Sequence, residues 1–167
     1  MEFGITSPKG GYGHNGDLWS EILPGLWMGG TSDRSQLGHV EQVPEITNLH
    51  FDTVATLYAY ALPVDWYVKE IRLGFYDHDQ VDLDQRDIDQ AVSSIYSDWK
   101  AGKRVLIRCQ AGWNRSGLIT GLVLMREGYS ANEAIELIRT RRSLNAICNQ
   151  TFEQYLRDQE TSDVGIH

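Results

Sequence analysis

Cys109 and Arg115 are the two residues of this chain whose types and spacing point most directly to chemistry. They lie in the run Val105-Leu106-Ile107-Arg108-Cys109-Gln110-Ala111-Gly112-Trp113-Asn114-Arg115-Ser116-Gly117. A thiolate is a strong nucleophile, and an arginine that returns across a short loop offers a planar fork matching two oxygens of a phosphate. Val105, Leu106 and Ile107 read as a short buried strand. The stretch from Ser116 to Glu127 is apolar nearly all round and reads as a buried helix. The loop between them, Gln110, Ala111, Gly112, Trp113 and Asn114, is then the candidate substrate-binding segment, with backbone N–H groups turned inward at a helix N-terminus. Gly112 lets the backbone approach a ligand closely. The helix dipole and the amides favour the thiolate of Cys109. The chemistry expected is attack of sulfur on a bound tetrahedral phosphate.

The elements that must position this loop are legible on both sides of it. Ile22 to Gly29 reads as two short strands joined by a Pro24-Gly25 turn. Phe51 to Tyr58 and Val68 to Phe75 read as further strands. Ile88, Ala91, Val92, Ile95 and Trp99 recur at helical spacing, with acids near Asp84 at the start and Gly102 past the end. Gly128 closes the central helix. Ser130 and Glu133 form a capping box for another helix to about Arg142, and Phe152, Tyr155 and Leu156 mark a last one. Strands interleaved with helices, then helices alone, predict a single α/β domain with a central sheet. Residues 1–17, with five glycines, read as a flexible or draped leader, residues 18–160 as the catalytic domain and 161–167 as a tail.

Composition excludes several classes. The 167 residues suit one domain, and nothing approaches the roughly 18 consecutive apolar residues of a membrane span. Two cysteines are too few for a disulfide scaffold or a four-ligand zinc site. The N-terminus lacks the basic and apolar stretches of a signal peptide, so a cytoplasmic protein without membrane contact is expected. A net charge of −8 argues against nucleic acid as the main partner. Residues 101–142 nevertheless hold 8 basic side chains against 3 acidic, which suggests either a local anionic ligand or a solvated basic helix face. The acids Asp77, Asp79, Asp82, Asp84, Asp87 and Asp89 read mainly as a solvated loop and helix start, since the spacing lacks the glycine and glutamate of a calcium loop.

Cys-x5-Arg followed by Ser-Gly, set between a strand and a buried helix, resembles the signature of the protein tyrosine phosphatase superfamily. Ile22 to Gly30 looks like the strand pair that opens dual-specificity phosphatases. Gly128 to Ala134 and Ile138 to Arg142 are similar to helical motifs after their active site, so the resemblance spans residues 20–157. It implies a central mixed β-sheet flanked by α-helices and a metal-independent hydrolysis of phosphate monoesters through a phosphocysteine, with no cofactor. It also implies an aspartic general acid upstream of the cysteine. Asp77, 32 positions before Cys109, is the first choice and Asp79 the alternative. In this resemblance Ser116 supplies a hydroxyl to the sulfur, besides its plain reading as a helix N-cap. The family usually has histidine before the nucleophile; here Arg108 stands there, and its permanent charge would favour a thiolate. Several members protect the nucleophile by a disulfide, a role open to Cys148.

Other residues carry two readings each. Trp113 lines the pocket rim or packs in the core, while Asn114 is read as satisfying loop backbone. Arg142 supports the phosphate loop, meets a second anion, or bonds the helix C-terminal carbonyls, the last being preferred. His78 tunes the acid or is an ordinary loop histidine. The substrate class expected is phosphotyrosine or phosphoserine/threonine in proteins, acted on by a monomer. A lysine-free loop opposes inositol phosphates, the Asn114-Arg115 pair keeps an RNA 5′-triphosphatase open, and Arg108 leaves room for a pseudophosphatase that binds without turnover.

Overall fold

The computed structural model describes residues 4–31 and 46–164, so residues 1–3 of the leader and 165–167 of the tail lie outside the described residues. Five strands form one mixed sheet: β1 (Trp19–Leu23), β2 (Leu26–Gly29), β3 (Thr53–Thr56), β4 (Lys69–Arg72) and β5 (Val105–Arg108). The spatial order is β1-β2-β5-β3-β4. β1 pairs antiparallel with β2 across the Pro24-Gly25 turn, where Gly25 takes φ +81°. The remaining neighbours are all parallel. β3 and β4 are shorter than the runs 51–58 and 68–75, because the chain beyond Thr56 and Arg72 leaves the ladder at the carboxyl edge.

Four helices follow the sequence signals. α1 (Gln85–Lys100) is capped by Asp84, whose side chain accepts from the Arg86 N–H at 2.9 Å. α2 (Arg115–Glu127) ends at Gly128, which adopts φ +117°. α3 (Ala131–Arg141) opens on the reciprocal bonds of Ser130 and Glu133. α4 (Gln150–Val164) closes the domain. α2 is the central helix and touches the other three. Among the described residues no helix is long and apolar enough to cross a membrane.

The period of two along each strand divides the core. Val105, Ile107, Ala55 and Met28 face the helices and pack with Ile95, Leu118, Ile119, Val123 and Ile138. Leu106 and Val54 face the other way and pack with Leu18, Trp19, Phe51 and Val68. Residues 4–17 drape over the domain: the Leu18 N–H donates to the Pro8 carbonyl at 2.9 Å and the Trp19 N–H to Ser7 Oγ at 2.9 Å.

Three carboxylates tie these layers together. Asp98 on α1 accepts from Thr53 Oγ1 and Lys69 Nζ, both at 2.9 Å. Burial pushes its carboxyl up, but the bonds from Lys69 and Thr53 outweigh this and leave it below the ordinary range. Glu70 behaves likewise, its burial outweighed by Thr56, Arg72 and Arg108. The Arg104 hydrogen bonds lower Asp52. A carboxyl depressed in the folded state contributes stability that is present above its unfolded value, about 4, and lost as pH falls through the folded one. Melting temperature is therefore expected to hold from pH 7 to about 5 and to fall steeply below about 4. Asp98→Asn should lower it at pH 7 and flatten the acid limb; an unchanged pH profile in that variant would contradict this role.

Candidate active site

The register of the parallel strands places a cleft before any side chain is considered. Gly29, Arg108, Thr56 and Arg72 stand level across β2, β5, β3 and β4, so the loops that follow these strands emerge at one edge. β5 lies in the middle of the sheet, and in open α/β sheets ligands bind outside the carboxyl ends of such strands. A cleft of about 540 Å³ opens there, lined by Tyr58, Ala59 and Tyr60 after β3, the segment 74–78 after β4, and Gln110 and Arg115 after β5.

Cys109 directly follows β5, only 2% exposed, on the helix-facing side with Ile107. The loop after it is shaped by what its carbonyls touch. The Gln110 carbonyl accepts from the Thr31 N–H at 2.8 Å, the Trp113 carbonyl from the Ile147 N–H at 3.0 Å, and the Asn114 carbonyl from the Leu118 N–H at 2.8 Å. The Ala111 and Gly112 carbonyls accept from Arg142 Nη2 at 3.0 Å and Nε at 3.1 Å. In a planar trans peptide the N–H points opposite to the C=O. Five carbonyls drawn outward therefore turn the amides of residues 111–115 inward, and the next one, Ser116 N–H, donates to Cys109 Sγ at 3.4 Å. This is a nest of N–H groups at the N-terminus of α2, suited to an oxyanion.

Gly112 is required by this geometry. Its φ is +77°, and a Cβ there would sit 2.4 Å from the Gly29 carbonyl carbon and 2.7 Å from Arg142 Nη2. Ile147 also has φ +57°, a strained conformation for a β-branched residue that costs on the order of 1–3 kcal/mol. Its N–H is the one that holds the Trp113 carbonyl.

Arg115, the first residue of α2, is 8% exposed. Its guanidinium carbon lies 5.2 Å from the Tyr58 ring centroid, and Nη1 donates to the Phe75 carbonyl at 3.2 Å. Nε is buried without a hydrogen-bond partner, a donor left open in a group that lines the cleft. Asp77 reaches the same loop. Asn114 Nδ2 donates to its Oδ2 at 2.9 Å and Asn149 Nδ2 to its Oδ1 at 2.8 Å. Asp79 stays out, its side chain 94% exposed.

Several sequence expectations need correction. The Ser116 hydroxyl neither meets the sulfur nor caps the helix; it donates to the Gly29 carbonyl at 3.1 Å, and the residue before the helix is Asn114. Arg108 does not face Cys109. One step of strand alternation sends it to the opposite side of the sheet, where it donates to Thr56 Oγ1 at 3.1 Å, the Leu62 carbonyl at 2.7 Å and Glu70 at 3.3 Å. Burial pushes its guanidinium down and Glu70 pulls it back. Trp113 packs on neither the cleft nor the core: Nε1 donates to the Tyr12 carbonyl at 3.0 Å, and the Tyr12 ring meets it edge-on at 5.5 Å. The Asn114 side chain does satisfy loop backbone, its Oδ1 accepting from the Asn149 N–H before α4 at 3.0 Å, and its Nδ2 also donates to Asp77. The His78 ring turns to Asp82, 2.8 Å away, not to Asp77. Cys148 is an exposed free thiol beside Asn114.

Arg142 is the largest correction. It is fully buried and bonds the loop carbonyls, the Asp17 carbonyl at 3.0 Å and Ser20 Oγ at 3.1 Å, instead of its own helix end. Burial pushes it down to about 10, against the pull of Cys109 and Asp17, so it stays charged behind the loop at neutral pH. The basic segment is likewise not an anion-collecting face. Arg104 pairs with Asp52, Lys103 with Asp98, Arg139 with Glu153, and Arg126 bonds Ser93. The sequence reading missed Tyr58 and Asn149. Asn149 looks like an ordinary cap, since its Oδ1 accepts from the Thr151 and Phe152 N–H groups of α4, and its Nδ2 does the second task.

Fold and loop together define a cysteine-loop phosphatase architecture. The family "Dual specificity phosphatase, catalytic domain" matches residues 39–162, and the chain belongs to that family. Dual specificity protein phosphatase 12 of Mus musculus is 26% identical over 156 residues; these cover 91% of this chain, but the chain spans only 43% of that protein. The crystal structure of human DUSP28 superposes with a TM-score of 0.69 at 19% identity, covering 96% of this chain and 98% of that one. A human tyrosine phosphatase-like serine/threonine/tyrosine-interacting protein shares the fold at a TM-score of 0.66 and 19% identity, covering 87% of this chain and 97% of the other.

Removing Arg142 would leave four acceptors, two of them buried and two partly buried, without their donor. Arg142→Met is expected to destabilise the domain by about 2–4 kcal/mol in urea unfolding. A change below about 0.5 kcal/mol, the size of an ordinary surface substitution, would contradict its role in holding the loop.

Proposed function

We propose that this chain hydrolyses phosphate monoesters, phosphotyrosine or phosphoserine/threonine of proteins, through a phosphocysteine. The reading rests on one observation above the others: a cleft in which Arg115 and Asp77 meet beside the inward amides of the Cys109 loop. In this reading Cys109 sulfur attacks phosphorus while Asp77 gives its proton to the leaving oxygen. The amides of residues 111–115 and the open donors of Arg115 hold the equatorial oxygens, where charge spreads in a loose transition state. Water then attacks the phosphocysteine, Asp77 takes a proton from it, and the thiolate departs toward the Ser116 N–H. Asn114 and Asn149 fix Asp77, which favours it over the outlying Asp79. The family membership and the name of the mouse relative support the same reaction class. The scheme invokes no metal and gives Ala111, Gly112 and Trp113 a backbone role, while Asn114 adds its side chain to its amide.

Release of phosphate from an aryl phosphate tests this. Wild type should turn over with EDTA present, Cys109→Ser should lose activity to background, and Asp77→Asn should lower kcat/KM for esters of poor leaving groups by roughly 10²–10⁴-fold while sparing kcat/KM for good ones. No turnover by wild type at any pH would favour a phosphopeptide-binding module, and an unaffected Asp77→Asn would return the acid to Asp79.

A further inference from the structure

Once Arg115 takes a phosphate, the charge and shape of the rest of the cleft select what surrounds that phosphate. This inference rests on the phosphatase reading above. Among the described residues that line the cleft, Arg115 is the one arginine or lysine. The neighbouring cations are turned elsewhere: Arg108 and Arg72 share Glu70, and Arg142 lies buried behind the loop. The segment that carries the acid Asp77 goes on to Asp79 and Asp82, side chains 94% and 52% exposed on either side of the His78 ring, so its carboxylates outnumber its cations.

The walls, by contrast, are aromatic. Tyr58 is buried beneath the rim, its ring 5.7 Å from that of Tyr60. Tyr60 and Tyr76 stand on the loops after β3 and β4 and line the cleft, yet are 77% and 68% exposed. Leu62, two residues along the same loop, is 76% exposed, and its carbonyl is held by Arg108. Arg72 Nη2 holds the Ala61 carbonyl beside it at 2.6 Å. The apolar wall is therefore clamped from behind by two arginines and presented as a fixed surface. Rigid tyrosine rings give large contact area at low entropic cost.

We propose that the cleft selects singly phosphorylated peptide segments with an aromatic or aliphatic side chain beside the phosphorylated residue, and rejects segments with acidic neighbours or a second phosphate. A second phosphate would find no free cation among the described lining residues, beside a segment that carries the exposed carboxylates Asp79 and Asp82; salt screens such repulsion over about 8 Å at physiological strength. An apolar neighbour instead covers Tyr60 and Tyr76, removing surface from water. Inositol polyphosphates and triphosphorylated RNA fail on the same ground.

The test is a panel of phosphotyrosine peptides differing only at the flanking positions, with p-nitrophenyl phosphate as control. Leucine- or tryptophan-flanked peptides should exceed aspartate-flanked and doubly phosphorylated ones in kcat/KM by tenfold or more at low salt. Added salt should narrow the gap to the acidic peptides and leave the leucine-over-serine preference intact. In the double variant Tyr60→Ser/Tyr76→Ser that leucine-over-serine ratio should collapse toward one, a readout that a general loss of activity or fold does not mimic. Equal or faster turnover of acidic, doubly phosphorylated, inositol or RNA substrates would overturn the proposal, as would an unchanged ratio in the double variant. No turnover of p-nitrophenyl phosphate by wild type would instead overturn the phosphatase reading, and the selectivity with it.

Discussion

The outward pull on the carbonyls of residues 110–114 is the interaction on which the site depends. Peptide planarity makes a carbonyl turned out equivalent to an amide turned in. Three of the donors that do the pulling come from distant parts of the chain, Thr31 after β2, Arg142 at the end of α3 and Ile147 before α4, and the fourth is Leu118, one turn on in α2. Arg142 also reaches Asp17 and Ser20, so the draped leader, the first strand and the loop share one buried cation. A loop held this way is organised before any anion arrives, which is the condition for electrostatic stabilisation without reorganisation.

Strand alternation explains the position of Arg108. Cys109 continues the helix-facing series Val105, Ile107, and Arg108 must then fall on the opposite face with Leu106. There it joins Thr56 and Arg72, level with it across the sheet, and Glu70, two residues back on the same face, and it steadies the loop carrying Tyr58 and Tyr60 through the Leu62 carbonyl. Its hydrogen bonds run to that wall and not to the sulfur.

What could be read from the sequence was whatever depends on local order. The Pro24-Gly25 turn, the Ser130-Glu133 box, the helical spacing of α1 and the strand-loop-helix passage at Cys109 are each set by residues close in sequence, and all were legible. Arg108 was legible in principle, from the period of two, and was misjudged by weighing its charge ahead of its direction. Arg142, Trp113 and Asn149 were not legible as site supports. Their partners lie 30 to 125 positions away, and only tertiary packing brings them together. Of the basic segment, Arg115 alone lines the cleft among the described residues, while Lys103, Arg104 and Arg139 are paired with acids, a division that charge counted along a chain does not reveal.

A covalent bond from Cys109, in this amide-lined loop, to phosphorus is what separates turnover from mere phosphate binding. Acid-quenching the Asp77→Asn enzyme within milliseconds of mixing with an aryl phosphate, then mapping peptides by mass spectrometry, tests it most directly. The account predicts one phosphoryl group on the peptide containing Cys109, absent when Cys109 is serine. Steady turnover with no phosphorylated Cys109, or with the phosphoryl group on another residue, would contradict it.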